Sequence, residues 1–358
     1  MSQFMTRLRA DIEEPLRTAR VPGLVLAVAR DGQPVERLVV GADAAGTPLA
    51  EDSLFPVASI TKLATALAVL RLRDDGALRL DDSIVRYLPE AASAQPGVTV
   101  RKLLCHTAGL PTDVSSKLAP YAASLSWPIL ARACLETELA HRPDSLVLYS
   151  NVGYGLLGEI VERQMDQPFA QALRELVLDP LGIEAYLSVP YRPTAKVADV
   201  RSRHRGTALE PYNSDFWLSL ALPYGGLVTT MDGALALVQA FTGKAEGFLR
   251  TTTLVEATRN QVGELPGRSG VLQWPFCPWG LGPELRDAKT PHWSPSEASA
   301  ESFGHAGASG CLAWCDPSAG VAWAFHGARV ADTGWLLRSG AAIGAAILKR
   351  ASEDARQN

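Results

Sequence analysis

The chain has 358 residues, 47% of them hydrophobic and 20% charged, with a formal net charge of −4. That balance describes a folded globular protein rather than a disordered one, and it offers no basic field for nucleic acid or an anionic membrane. The length exceeds a usual single core, so two lobes or one large α/β unit are expected.

Residues 4–20 carry helical spacing and end before Val21-Pro22-Gly23, a breaker pair. An apolar run at 24–30, a turn at Asp31-Gly32 and a second run at 35–41 read as a β-hairpin. After a turn at Pro56, residues 60–75 read as a long helix with Leu63, Leu67 and Leu70 on one stripe and Gly76 as its stop. Helical patterns follow over 127–138, 152–165, 169–178 and 231–241. The stretch 264–301, with Trp274, Pro275, Pro278, Trp279 and Trp293, reads as a long surface insertion or lid. Strand signals return at 302–305, 310–316 and 320–326, the last two flanking a Pro317-Ser318-Ala319-Gly320 turn. A helix over 335–349 closes the pattern. An early hairpin and late strands predict an α/β (α+β) fold, in which one antiparallel sheet is built from both ends of the chain. Terminal helices flank the sheet, and an all-helical lobe is inserted. The expected division is 1–62 with 221–358 for the α/β domain and 63–220 for the helical one, with the active site at their junction.

The five cysteines (Cys105, Cys134, Cys277, Cys311 and Cys315) are odd in number, scattered and free of C-x-x-C pairs. They read as buried thiols rather than a disulfide framework or a zinc site, and no metal or cofactor is expected. Residues 1–22 include Asp11, Glu13 and Glu14 and lack the apolar core of a secretory signal. No run reaches the ~20 apolar residues that span a bilayer. A cytoplasmic location without membrane or nucleic-acid partners is expected, with the oligomeric state left open.

Ser59-Ile60-Thr61-Lys62 is the only S-x-x-K in the chain and opens its best-defined helix. Residues three apart on a helix emerge on nearly one face. A desolvated lysine amine can then take the serine proton while helix N–H groups face developing oxyanion charge. Alone the pattern is weak, since chance supplies roughly one S-x-x-K per two or three chains and an N-cap serine before a surface lysine looks the same. Tyr149-Ser150-Asn151 precedes the helix at 152. Its phenol could relay a proton to a leaving group and its amide could donate to a substrate carbonyl, although a loop tyrosine is also an ordinary core plug. The small residues of Gly304-His305-Ala306-Gly307-Ala308-Ser309-Gly310 would let a substrate approach backbone N–H groups. Without such a role they form a glycine-rich strand end with a partly buried histidine.

The order S-x-x-K, Y-S-N, H-x-G resembles the serine β-lactamase-like superfamily of class C β-lactamases, DD-peptidases and family VIII carboxylesterases. Leu103-Leu104-Cys105-His106-Thr107-Ala108-Gly109-Leu110-Pro111 is similar to its L-L-x-H-T-x-G-L-P segment, Gly225-Gly226-Leu227-Val228-Thr229-Thr230 to its G-G-L-x-S-T turn, and 316–321 to its terminal hairpin. The likeness runs over nearly the whole chain and implies a β-lactamase/transpeptidase-like fold. It also implies roles: Ser59 as nucleophile, Lys62 and Tyr149 sharing acid–base duty in an order left open, and Asn151 orienting substrate. The N–H groups of Ser59 and Ala308 would form the oxyanion hole, with His305 and Gly307 bordering the substrate. His106 and Thr107 would brace the helical lobe.

Two departures shape the substrate expectation. His305 stands where typical β-lactamases carry lysine, which removes a permanent cation for a substrate carboxylate, and Pro143-Asp144-Ser145 replaces a common Pro-Gly. No E-x-x-L-N supplies the deacylating carboxylate of class A enzymes. The resemblance thus implies an acyl-enzyme hydrolase of a small-molecule ester or amide, closest in character to family VIII esterases and acting on short-chain esters. The alternatives are a β-lactamase, a DD-peptidase or D-amino-acid amidase, and, from another class, an acylatable binding or sensor protein without turnover.

Overall fold

The computed structural model describes residues 2–95, 97–188, 197–201, 205–331 and 334–356. Ser2 caps α1 (Gln3–Ala19), its Oγ accepting from the Met5 N–H at 3.1 Å. The helix buries Phe4, Leu8, Ile12 and Leu16, a stripe at i, i+4 spacing. The hairpin β1 (Gly23–Arg30) and β2 (Glu36–Gly41) follows, then β3 (Phe55–Pro56), a 3-10 turn at Ala58–Ile60 and α2 (Thr61–Asp74). The middle of the chain holds α3 (Val100–Leu104), α4 (Trp127–Glu136), β4 (Val147–Leu148), α5 (Asn151–Met165), α6 (Phe169–Leu173), β5 (Ala185–Leu187) and α7 (Asp215–Ser219). After β6 (Leu227–Thr229), α8 (Met231–Gln239) and α9 (Thr251–Ala257) come β7 (Gly267–Ser269), β8 (Leu272–Trp274) and β9 (Glu284–Leu285). The chain ends in β10 (Phe303–Gly307), β11 (Cys311–Asp316), β12 (Val321–Gly327) and α10 (Ala341–Ala355).

The main sheet is antiparallel in the order β2-β1-β12-β11-β10-β9. Residues far apart in sequence therefore face each other, Leu26 opposite Phe325 and Ala313 opposite Ala324. Strands β11 and β12 are buried along their whole length because helices cover both faces. The cover comes from α8 against β12, β11 and β1, and from the packed pair α1 and α10. In the helical part, α5 packs on α2, α3, α4 and α6. Gly155 allows the α4 contact: a Cβ there would meet Cys134 Sγ at 2.5 Å. All five cysteines are free and buried. Among the described residues, no helix is long and apolar enough to cross a membrane.

Several expectations change in detail. The 60–75 helix starts at Thr61, behind the 3-10 turn, and is buried on every side rather than along one stripe, because it is packed between α8 and the helices α5 and α6. The 169–178 helix gives way to a π turn at Arg174–Leu178, and the last helix opens with a π turn at Leu336–Gly340 and runs on to Ala355. Residues 264–301 are not a surface insertion. Trp274 and Trp279 are buried, and β7 and β8 form a small sheet with β4. Two large aromatic rings bury too much apolar area to remain on a solvated loop.

Candidate active site

Strand pairing sets Ser59. β3 pairs with β6, and the Val57 N–H then donates to the Leu227 carbonyl at 2.9 Å. Ala58 takes φ +44°, a left-handed conformation that costs an alanine of order 1 kcal/mol or more. Its carbonyl accepts from Thr61 Oγ1 at 2.6 Å, which helps hold the bend. Ser59 thus stands on a tight turn at the head of α2. Lys62, one turn on, has no exposed surface. Its Nζ lies 3.3 Å from Ser59 Oγ, 2.7 Å from Asn151 Oδ1 and 2.9 Å from the Tyr224 carbonyl. Burial pushes this amine well below its ordinary pKa, with only Asp113 acting the other way. A neutral amine has two N–H donors and one lone pair. The two carbonyl oxygens can only accept, so the lone pair is left for the Ser59 hydroxyl proton.

Ser150 is the N-cap of α5: its Oγ accepts from the Gly153 N–H at 3.0 Å and donates to the Pro111 carbonyl at 2.6 Å. This cap turns the chain so that Tyr149 and Asn151, its two neighbours, both reach Lys62. The Tyr149 ring lies 4.7 Å from Lys62 Nζ and packs on His106, Trp279 and His305. Its hydroxyl is buried without a hydrogen-bond partner of ordinary geometry among the described residues. Burial raises the phenol well above its ordinary pKa, although the nearby Ser59 hydroxyl works against that rise. Below the ring, His106 Nδ1 accepts from the Ser150 N–H at 3.1 Å and its carbonyl accepts from the Leu148 N–H at 2.9 Å. His106 therefore braces the tyrosine segment. Asn151 spends its oxygen on Lys62 and donates through Nδ2 to Asp113 at 2.6 Å. The second amide hydrogen has no partner among the described residues.

On the other side, β10 delivers His305 and Gly307, and Ala308 follows directly in the turn after it. A Cβ on Gly307 would stand 2.4 Å from both the Val57 carbonyl and Cys311 Sγ, so only glycine lets this strand close on the nucleophile turn. His305 is buried and its Nδ1 lies 2.7 Å from the Ala306 carbonyl. A carbonyl cannot donate, so Nδ1 carries the hydrogen and Nε2 presents a lone pair. Burial lowers the His305 pKa to about 4. This ring is neutral near pH 7.

Ser59, Tyr149, His305, Gly307 and Ala308 border one cavity of about 390 Å³. Lys62 reaches this cavity through Ser59 Oγ, and Asn151 adjoins it through Lys62 Nζ. The remaining lining is mostly apolar and includes Val271, Leu272, Trp293 and Leu337. A larger groove of about 840 Å³ along α10 is bordered by none of these groups. Sequence reasoning missed Tyr224, Asp113 and Glu284. Tyr224 directly precedes the Gly225-Gly226 turn, which was the available signal for it. Glu284 gave none. It borders the cavity at 1% exposure, accepts from Lys289 Nζ and Trp293 Nε1 at 2.9 Å each, and has His292 Nε2 at 3.3 Å. Burial would raise its pKa, but Lys289 and His292 overcome this and hold it well below the usual carboxylate range.

The profile of the family described as Beta-lactamase matches residues 8–333. Esterase EstB of Burkholderia gladioli is 33% identical over 302 residues, covering 73% of this chain and 76% of EstB. Penicillin-binding protein 4 of Amycolatopsis lactamdurans is 32% identical over 315 residues, 83% of this chain and 77% of that protein. A penicillin-binding protein homologue from Caulobacter crescentus superposes with a TM-score of 0.76 at 25% identity, over 96% of this chain and 98% of that one. A match of this extent, to a fold that stands Ser59 and Lys62 at the head of a buried helix, makes the chain a serine hydrolase of the beta-lactamase family.

Proposed function

We propose that the protein is a carboxylesterase of the family VIII type that cleaves small carboxylic esters through an acyl-enzyme on Ser59. The observation that carries this reading is the buried Lys62 amine, held well below its ordinary pKa by desolvation and 3.3 Å from Ser59 Oγ. Lys62 takes the serine proton as Oγ attacks the ester carbonyl, and the N–H groups of Ser59 and Ala308 hold the oxyanion. Tyr149, kept as a phenol by burial, gives its proton to the departing alkoxide and is reprotonated from Lys62. Water then repeats the sequence on the acyl-enzyme. Asn151 keeps Lys62 oriented and uses its remaining amide hydrogen on the substrate. The site lies where the α/β domain (1–62 and 221–358) meets the helical domain (63–220).

Esters are favoured over β-lactams because His305 is neutral and cannot anchor a carboxylate as a lysine would. The mostly apolar cavity agrees, as does the kinship with Esterase EstB. Kinship with penicillin-binding protein 4 favours a second reading, acylation by β-lactams with slow or no release. Incubation with p-nitrophenyl butyrate separates the two. Sustained phenolate release that disappears in Ser59→Ala supports the esterase; a stoichiometric burst that stops, or release that survives Ser59→Ala, overturns it. Nitrocefin measured in parallel reports the second reading.

A further inference from the structure

At the rim of the Ser59 cavity stands a side chain that the fold itself does not use. β7 and β8 form a hairpin, with Gly267 opposite Trp274 and Ser269 opposite Leu272, whose tip is Gly270-Val271. Its base is fixed. A Cβ on Gly267 would sit 2.7 Å from Val147 and Cys277, and buried Trp274 donates through Nε1 to the Pro291 carbonyl at 3.0 Å. The same hairpin holds the tyrosine segment, since the Tyr149 N–H donates to the Arg268 carbonyl at 3.2 Å. Yet Val271 at the tip is 96% exposed, whereas the other exposed large apolar side chains among the described residues keep more than half their cover, none above 42%.

Single exposed apolar side chains are ordinary on a protein surface. This one differs in place. It borders the cavity that contains Ser59, beside Leu272 and across from Trp293 and Leu337. A turn tip favours glycine, asparagine, aspartate or serine, so a valine there is not explained by the turn. A rigid base with an uncovered apolar tip on the border of the nucleophile's cavity is suited to a ligand that supplies the missing cover.

We infer that Val271 is a specificity-determining residue that closes over the apolar arm of the substrate. The preferred substrates are then esters whose alkyl arm is long enough to reach the hairpin tip. The inference rests on the esterase reading of the Ser59 site. Covering one side of a valine is expected to be worth roughly three- to tenfold in kcat/KM, about half the logarithmic effect of burying it fully.

The test compares wild type, Val271→Ser and Val271→Leu on two ester series. One lengthens the acyl arm (p-nitrophenyl acetate, butyrate and hexanoate) and the other the alcohol arm (methyl, butyl and hexyl acetate). Val271→Ser should lose roughly three- to tenfold on the longest member of one series and nothing on its shortest member; Val271→Leu should gain in the same series. The responsive series identifies the arm. Equal effects on all members, or none in either series, overturn the inference. Binding of methyl-, butyl- and hexylboronic acid, followed by tryptophan fluorescence, reads the hairpin without turnover. A flattened chain-length dependence in Val271→Ser supports the inference even if no ester is hydrolysed, an outcome that removes only the esterase reading; an unchanged dependence, together with no response in the alcohol series, overturns it.

Discussion

Lys62 makes the proposed base visible in the stability of the protein as well as in its kinetics. In the unfolded chain its amine stays protonated up to an ordinary pKa of 10.5, whereas burial lowers it well below that value in the fold. Unfolding therefore takes up a proton across the interval between the two values. Over that interval the contribution of Lys62 to stability rises with pH, by ~1.4 kcal/mol per unit, and is lost as pH falls toward the folded value. The side chain is fully buried, so solvent screening does not reduce the slope. Lys62→Gln removes the titration but keeps a primary amide able to donate to Asn151 Oδ1 and the Tyr224 carbonyl. Urea melts of both proteins at steps from pH 7 to 9 give the difference in unfolding free energy. That difference should climb toward the wild type with pH, while buried thiols such as Cys311, raised to about 12, contribute equally to both proteins and cancel. A flat difference would falsify the neutral-amine mechanism, because Lys62 would then be charged in both states.

Four other outcomes are expected. Tyr149→Phe should lower kcat by roughly 10²–10⁴ with KM little changed, and a change confined to KM would make Tyr149 a binding group. Gly307→Ala must displace both the Val57 turn and Cys311; it should cost about 1–3 kcal/mol in urea melts and lower kcat at least about tenfold. Glu284→Gln leaves the Lys289 charge buried alone and should destabilise by about 3–5 kcal/mol, while Glu284→Gln with Lys289→Met should recover most of that loss. The low pKa of His305 makes it neutral above about pH 5. His305→Asn should therefore leave the acid limb of kcat/KM unmoved there, and a displaced limb would assign the limb to His305 instead of Lys62.

The fold was legible where local pattern and tertiary burial agree. Residues 24–30 and 35–41 alternate or run apolar around Asp31-Gly32, and the hairpin follows with β1 and β2 within a residue of those limits. Likewise 310–316 and 320–326 carry β11 and β12, because a tight turn and β-forming runs specify each other locally. The pattern failed at 264–301, where proline and tryptophan resemble a loop by propensity. There the structure is decided by nonlocal pairing: β7 finds β4, more than a hundred residues earlier in the chain. No window of sequence contains that partner.

The candidate site divides along the same line. Ser59 and Lys62 were legible as a pair because a single helical turn relates them, and Tyr149 and Asn151 because one N-cap serine lies between them. What makes the lysine a usable base was not legible, since it lies in groups that converge from distant segments. Asn151 Oδ1 and the Tyr224 carbonyl, 89 and 162 residues away from Lys62, use its two hydrogens and thereby aim its lone pair. Tyr224 acts through its backbone, so its side-chain identity carries no trace of the role; the signal is the Gly225-Gly226 turn that bends its carbonyl inward. In the same way His305 read from sequence as a cation removed from the third motif, but its neutrality comes from burial among Tyr149, Trp279 and Lys62. The motif letters name the reacting atoms. The protonation states on which their chemistry depends are set by neighbours that the motifs do not contain.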